Sequence, residues 1–176
     1  KERGLQQFSD PQSPKEMIFF TGTKISQHYF TPQLGGDMAI LRGVAKSLLE
    51  RFENDKSILD SAFIKDHCHN FEAYQRSVHA SSWEKITSQS GLTRQDIEQI
   101  TDIYASKQKV IFTWAMGITQ HKHSVATIQE LINVLLLRGN IGKAGAGACP
   151  VRGHSNVQGN RTVGINEKPS MAFLDA

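Results

Sequence analysis

The stretch Phe112–Thr162, "FTWAMGITQHKHSVATIQELINVLLLRGNIGKAGAGACPVRGHSNVQGNRT", places a strand, a helix and a polar, glycine-rich tail in that order. It starts within residues 109–116, whose β-branched and aromatic side chains predict a strand buried on both faces, as in a parallel sheet. Ser124 is the expected N-cap of the following helix, and Gly139 is expected just beyond its end. The side chains expected on its buried face are Val125, Ile128, Leu131, Ile132, Leu135 and Leu136.

The sequence before this stretch predicts a second strand and several helices. "MIFF", residues 17–20, is typical of a short buried strand. Asp37 is the expected N-cap of a helix over residues 38–52, and residues 57–90 have a broken helical pattern. Thr93 and Asp96 resemble a capping box at the start of another helix. This order of elements predicts an α/β fold, with a parallel, Rossmann-like sheet and helices on both of its faces.

Composition excludes several classes of protein. A length of 176 residues suits one sizeable domain, and a net charge of +3 with both signs interspersed gives no indication of nucleic-acid binding. No apolar run is long enough for membrane insertion, and no signal-peptide pattern opens the chain. Cys68 and Cys149 lie far apart, which favours a reduced, cytoplasmic protein. Both ends fall in mid-pattern, so we expect an excised fragment of a larger chain.

Two loops are expected at the carboxyl edge of the sheet, where α/β folds bind ligands. They cover residues 21–37 and 117–123, and each leads into a helix N-terminus that favours an anion. This pattern predicts a site for a nucleotide or a phosphorylated cofactor. The residues that suit such a site are Gly35, Gly36, Asp37, Gly117, Thr119, Gln120, His121 and His123.

Three segments carry a resemblance to a known family. "TWAMGITQH", "LRGNIGKAGAGACPVRGHSNVQG" and "GTKISQHYFTPQLGGDMAILRGVAKSL" resemble the molybdopterin oxidoreductases of the dimethyl sulfoxide reductase superfamily, in particular the formate dehydrogenase alpha-subunit branch. The family pattern is W-x-M-G-x-x-Q-H, then T-G-N-I-G, then V-R-G-Q-N-N-V-Q-G. The resemblance extends from about residue 11 to 165.

The resemblance implies a cofactor and a set of residues around it. Residues 1–150 would be part of a domain that binds bis-molybdopterin guanine dinucleotide with molybdenum or tungsten, and residues 151–176 an active-site segment leading into the next domain. Gly35, Gly36 and Asp37 would lie at the nucleotide end of the cofactor. Arg152 would orient an anionic substrate beside the metal. The residues that would contact the cofactor from the second loop are Met116, Gly117, Gln120 and His121.

The chain departs from the family pattern at His154, which stands where formate dehydrogenases have glutamine. An imidazole can carry a proton near neutral pH and a glutamine amide cannot, so His154 is a candidate catalytic residue beside Arg152. The resemblance therefore implies two-electron oxidation of formate or of a related small oxyanion. An electron-transfer partner and the remaining domains of the same chain would complete the enzyme.

The resemblance also implies that some parts of the family's active site lie outside this 176-residue sequence. The metal-ligand segment and any 4Fe–4S cluster of the family would lie outside it, so we expect the isolated chain to be inactive and to bind no cofactor alone. No metal ligand is assigned within the chain, and His67, Cys68 and His69 are expected at the surface. Two alternatives stay open: a nucleotide-binding α/β scaffold or regulatory module without a redox metal, and a folding unit with no function in isolation.

Overall fold

A computed structural model describes residues 7–165 and 168–175 of the chain. The chain divides into two compact units, Lys1–Thr31 and Pro32–Ala176. Most of the secondary structure, and every residue proposed above for a site, lies in the second unit.

The first unit contains an antiparallel pair and a short helix. Strand β1 (Gln7–Phe8) pairs with β2 (Thr23–Lys24), and helix α1 (Pro14–Phe19) lies between them in sequence. The strand predicted for residues 17–20 is therefore wrong. Ser13 caps the helix by accepting a hydrogen bond from the Glu16 N–H at 3.4 Å, and a proline at the first helical position is pre-organised for a helix start.

The second unit contains nine helices and a pair of strands among its described residues. The helices that precede the strands are α2 (Asp37–Phe52), α3 (Ser61–His67), α4 (Phe71–His79), α5 (Trp83–Ser90) and α6 (Arg94–Ala105). The later elements are β3 (Ile111–Trp114), α7 (Met116–Thr119), α8 (Ser124–Leu137), β4 (Gly147–Pro150), α9 (Val157–Thr162) and α10 (Met171–Leu174). The three separate helices α3, α4 and α5 account for the broken helical pattern of residues 57–90.

Helix α2 is the centre of the core. It packs against α4, α5, α6 and α8, so its buried residues are not confined to one face. Gly43 permits the close approach of two of these neighbours, because a Cβ there would lie 2.8 Å from Ile97 Cγ2 and 3.0 Å from Ile86 Cγ2. The fully buried apolar residues of α2 include Ala45, Leu48 and Leu49.

The N-termini of α2, α6 and α8 can be compared with the capping residues predicted from the sequence. Thr93 and Asp96 form the predicted capping box at the start of α6, with hydrogen bonds in both directions. The N-caps expected at Asp37 and Ser124 are wrong by one position, since Gly36 and His123 occupy the caps and neither makes a side-chain capping bond. Asp37 is instead the first residue of α2, where its carboxylate still complements the helix dipole.

Helix α8 ends as predicted at Gly139, in a Schellman motif. Gly139 has φ 59° and donates to the Leu136 carbonyl at 3.1 Å, while the Asn140 N–H donates to the Leu135 carbonyl at 2.9 Å. The buried face is only partly the predicted one: Leu131 and Leu135 are buried, but Val125 is 71% exposed. The buried residues that were not predicted are Thr127, Glu130, Val134 and Leu137.

The α/β class is confirmed, with a parallel strand pair. Strand β3 pairs with β4, Ile111 opposite Gly147 and Trp114 opposite Pro150. Strand β4 lies in the polar, glycine-rich tail, for which no strand was predicted. Within residues 7–165 and 168–175 the sheets are the β1–β2 pair and the β3–β4 pair, so the wider Rossmann-like sheet is not seen there. None of the described helices has the length and apolar character needed to cross a membrane.

Candidate functional site

The turn after β3 carries four of the predicted site residues. The strand ends at Trp114, and α7 makes a single turn that presents Met116, Gly117 and Gln120 at the surface. The Gln120 N–H closes this turn by donating to the Met116 carbonyl at 2.9 Å. A Cβ built on Gly117 would meet nothing within 4 Å, so no protein atom accounts for a glycine at this position.

His121 contains a buried polar atom without a protein partner. Its Nδ1 accepts a hydrogen bond from the His123 N–H at 3.2 Å. A neutral imidazole that accepts at Nδ1 carries its proton on Nε2. The Nε2 atom is buried and has no hydrogen-bond partner among the described residues. Because an unsatisfied buried donor is costly, this N–H is suited to an acceptor supplied by a ligand.

The tail passes directly against this turn. A Cβ built on Gly153 would lie 2.8 Å from Met116 Cε and 3.0 Å from Met116 Sδ. The Val151 N–H also donates to the Trp114 carbonyl at 2.7 Å, which extends the β3–β4 pairing by one bond. Arg152 and His154 flank Gly153 and are exposed. The structure therefore brings these two residues to the same end of the parallel pair as Met116.

Gly35 and Gly36, which precede α2, are glycines for different structural reasons. Gly36 is buried, and a Cβ there would lie 2.9 Å from the Ser90 carbonyl oxygen, so it permits α2 to begin against the end of α5. Gly35 has φ 79°, a left-handed conformation that other residues adopt at a cost, and its Cβ position is open. The half-buried Asp37 carboxylate has no hydrogen-bond partner among the residues that the structure describes.

A cavity of about 540 Å³ joins the two predicted loops. Gly35 and Met38 line it from the start of α2, and His123 and Thr127 line it from the start of α8. Helices α4 and α5 contribute the opposite wall. The side chains that line the cavity with hydrogen-bonding or charged groups and were not predicted as site residues are Arg42, Ser77, Ser81, Lys85 and Gln89.

Arg42 is held in this wall by a buried ion pair. Its Nε and Nη2 lie 3.0 Å and 3.1 Å from the two carboxylate oxygens of Glu130, and its Nη1 donates to Ser77 Oγ at 3.1 Å. Tyr74 also donates to Glu130, at 3.0 Å. Burial raises the pKa of Glu130, against the opposing effects of the Arg42 charge and the Tyr74 hydrogen bond. Lys85, which forms no ion pair with another described residue, is left as a positive charge available to an anion in this cavity.

The "HCH" segment, residues 67–69, begins at the last residue of α3. His67 and His69 are exposed, and Cys68 is half-buried with its pKa raised by burial. Within residues 7–165 and 168–175, no group of three or more His, Cys, Asp or Glu side chains is arranged to hold a metal ion. Cys68 and Cys149 are both free thiols.

No protein-family model matches the chain. It is 46% identical over 179 residues to Protein YdeP of Escherichia coli and 43% identical over 176 residues to an uncharacterized oxidoreductase of Mycobacterium tuberculosis. Both alignments cover 99% of this chain, but 24% and 22% of those proteins. Formate dehydrogenase H of Escherichia coli is 30% identical over 136 residues, which are 77% of this chain and 18% of that protein. The chain thus spans at most about a quarter of the length of these relatives.

Proposed function

The chain belongs to the molybdopterin oxidoreductase family, and we propose that it forms part of a molybdopterin-dependent enzyme that oxidises formate or a related small oxyanion. In this proposal, residues 1–150 contribute to the cofactor-binding domain and residues 151–176 lead from it into a neighbouring domain. The proposal concerns the full-length protein, which would also hold any 4Fe–4S cluster. An electron-transfer partner would receive the electrons.

The contact between Met116 and Gly153 is the observation that carries this proposal. It joins the turn after β3 to the segment that contains Arg152 and His154, although 36 residues separate these positions in the sequence. A cofactor contact and a substrate contact must be neighbours in an enzyme whose cofactor does the chemistry. The packing of Met116 on Gly153 meets that requirement.

The residues at this edge fit a large phosphorylated cofactor. Among the described residues, nothing accepts from the His121 Nε2–H, and Gly35 and Gly117 leave open space where other residues would carry a side chain. The Asp37 carboxylate, which has no hydrogen-bond partner in that part of the chain either, can accept from the N–H groups of a guanine base. Gln120, which donates only a long 3.5 Å bond to Met116 Sδ, keeps its amide available for the pterin end.

When bound, the metal centre of this cofactor supplies two-electron redox chemistry. Arg152 presents a planar guanidinium fork that can hold a carboxylate or a similar oxyanion by two parallel hydrogen bonds. His154 stands two residues further along, on the other side of Gly153. Its imidazole can accept, hold or pass on a proton of the substrate, a role that a glutamine in this position cannot fill.

One observation favours a second function, a nucleotide-binding scaffold or regulatory module without a redox metal. The cavity lined by Arg42, Lys85 and His123 has the size of an ordinary ligand pocket, and a nucleotide could occupy it without any metal. Metal analysis separates the two proposals. Stoichiometric molybdenum or tungsten in the full-length protein supports the enzyme, and metal-free protein with bound nucleotide supports the module.

The test of the cofactor edge is Gly117→Ala in the full-length protein. The added methyl group meets no atom of the described residues within 4 Å, so the free energy of unfolding of the cofactor-free protein should not fall, and can rise by up to about 1 kcal/mol because alanine restricts the unfolded chain. If the cofactor lies against this backbone, the same methyl group should lower molybdenum and guanine nucleotide content several-fold.

Lys122→Ala is the control for this test. Lys122 lies just after the same turn, is exposed, and is not among the residues assigned to the cofactor. We expect this variant to keep its cofactor. Normal cofactor content in Gly117→Ala would contradict the assignment of this turn to the cofactor.

A further inference from the structure

A second cavity, of about 310 Å³, lies at the other end of α8. Arg138, which follows the last residue of α8, lines it together with residues that precede α3, β3 and β4. The side chains around it are three basic ones, one acidic one and several neutral ones: Lys56, Ser57, Leu59, Asp60, Ser61, Gln108, Arg138 and Lys143. The cavity is therefore an electropositive concavity.

The three cations of this cavity form no ion pair with any carboxylate that the structure describes. Lys56 Nζ donates to the Phe52 carbonyl at 2.8 Å, and Lys143 Nζ donates to the Gln108 carbonyl at 2.8 Å. By contrast, the three cations of α2, Arg42, Lys46 and Arg51, and Arg94 of α6 are paired with carboxylates. The charges at the cavity are thus held in place without being neutralised.

Arg138 fixes the shape of the cavity. Its guanidinium donates to the carbonyls of Ile58, Ala105 and Lys107, and so ties the end of α8 to two loops. These bonds satisfy backbone acceptors but leave the positive charge uncompensated. Lys56 lies on one of these loops, and Lys143 donates to the Gln108 carbonyl of the other, so the rim is defined before any ligand arrives.

The acidic groups nearby are already engaged. Asp60 caps α3 by accepting the Phe63 N–H at 3.0 Å. Asp55 accepts both the N–H and the hydroxyl of Ser57, at 2.9 Å and 2.7 Å. Each lysine ammonium, in contrast, has three N–H donors and uses one, so two remain on each for a ligand.

This cavity is separate from the proposed cofactor edge. Helix α8 has 14 residues between His123 at the first cavity and Arg138 at the second, which at 1.5 Å per residue corresponds to about 20 Å. A ligand in the second cavity would therefore not touch the residues assigned to the cofactor or to the substrate.

We propose that this second cavity binds a small polyanion of the diphosphate class. Two ammonium groups with free donors can each bind one phosphoryl group, and the guanidinium adds to the positive potential behind them. The volume of about 310 Å³ is at the lower end of the range for ligand pockets, which favours a small molecule. The site does not depend on the redox function proposed above.

Binding of inorganic diphosphate to the full-length protein, measured by titration calorimetry at low and at high salt, tests this inference. The double variant Lys56→Gln/Lys143→Gln should bind diphosphate at least about tenfold more weakly, since it removes both groups with free donors. Gln108→Glu, which keeps both lysines and the side-chain shape but adds a negative charge, should weaken binding to a similar degree. Circular dichroism and thermal unfolding establish that each variant is folded.

The matched control is Lys65→Gln/Lys122→Gln, which changes the net charge equally at two exposed positions outside the cavity. It should change the dissociation constant less than about twofold. An equal loss in this control would mean non-specific attraction, and no binding to the wild type would exclude the site; either result overturns the proposal. A loss in Lys85→Gln without one in Lys56→Gln/Lys143→Gln would assign diphosphate to the first cavity and would also overturn it.

Discussion

Position 153 has a physical reason to be glycine. Any larger residue would place its Cβ within 2.8 Å of Met116 Cε, closer than non-bonded carbon atoms approach. A flexible methionine side chain can move, but here it forms one side of the contact between the turn and the tail. A change at Gly153 should therefore be transmitted to its neighbours Arg152 and His154.

We predict that Gly153→Ala displaces this segment by a fraction of an ångström to about 1 Å, with little effect on the core. Because misplacement of that size can cost about a hundredfold, kcat/KM for formate-dependent dye reduction by the full-length protein should fall at least tenfold. Molybdenum content should change much less.

Met116→Ala supplies the control for this prediction. If the clash with Met116 is the cause, adding Gly153→Ala to Met116→Ala should cost much less than adding it to the wild type, as a double-mutant cycle would report. Equal losses in both backgrounds would mean that Gly153 is required for another reason.

At the level of secondary-structure elements, a chain of buried hydrogen bonds joins the end of α8 to the start of β3. Asn140 is fully buried; its Nδ2 donates to the Tyr104 hydroxyl at 3.2 Å and its Oδ1 accepts from the Val110 N–H at 3.2 Å. Tyr104 in turn donates to the Val134 carbonyl at 2.9 Å. This chain of bonds fixes where β3 starts, and so where its carboxyl end and the proposed site lie.

Gly139→Ala tests this junction. Gly139 has φ 59°, and a Cβ there would lie 2.5 Å from Asp60 Oδ2, whereas Gly142 has φ 71° and an open Cβ position. Both substitutions carry a left-handed backbone cost of about 1–2 kcal/mol. Gly139→Ala should lower the free energy of unfolding by about a further 1–3 kcal/mol, because overpacking adds to the strain. Urea unfolding of the two variants measures the difference; equal losses would show that Asp60 moves aside without cost.

Physical reasons explain why two elements, α1 and β4, were not predicted from the sequence. "MIFF" is apolar enough for a strand, but Ser13, Pro14 and Glu16 before it form a helix start. Strand β4, "GACP", has no β-branched residue and forms because β3 offers it a partner. Propensity alone could not predict it, since strand formation depends on cross-strand context. The capping box at Thr93 and the glycine end of α8 were predictable because those signals lie within a few residues.

For the whole molecule, the central position of α2 explains what the sequence did not reveal about the site. The turn at Met116 and the tail at Arg152 carry their motifs in short segments, so the sequence alone can nominate them as candidates. Arg42 and Lys85 line the first cavity only because α2, α4 and α5 pack together. No local pattern marks such residues, and only the packing of helices identifies them.

Two arginines of α2 pair with glutamates on two neighbouring helices. The titrations of these two glutamates have opposite effects on stability. Glu98 of α6 contacts Arg51, with Arg51 Nη2 at 2.6 Å from its Oε2 and Ser47 Oγ at 2.6 Å. Partial burial acts to raise the pKa of Glu98, but the bonds from Ser47 and Arg51 outweigh it and hold this pKa below the usual value. Glu130 of α8 is paired with Arg42, yet its deeper burial raises its pKa.

These directions predict opposite pH dependences. Glu98, with a lowered pKa, contributes stability that is present above the ordinary glutamate value of about 4.3 and is lost as pH falls through its folded pKa. Glu130, with a raised pKa, contributes stability that is present below that ordinary value and is lost as pH rises through its own folded pKa. The acid side of the stability profile thus contains two opposing contributions from glutamates on helices that pack against α2, besides those of Asp55 and Asp96, whose pKa values are also lowered.

Glu98→Gln and Glu130→Gln separate these contributions. In Glu98→Gln, the drop in the free energy of unfolding between neutral pH and about pH 3.5, measured by urea unfolding, should be smaller than in the wild type, by up to about 1 kcal/mol for a partly exposed pair. In Glu130→Gln the same drop should be larger, because the variant no longer loses stability as pH rises while the other acid-sensitive groups still act. At position 130, a glutamine keeps an oxygen that can accept from Tyr74 and Arg42. Gln also has nearly the shape of Glu, so neither substitution leaves a cavity in the core. Changes of the same sign in both variants would contradict the opposing pKa directions and the burial difference from which they follow.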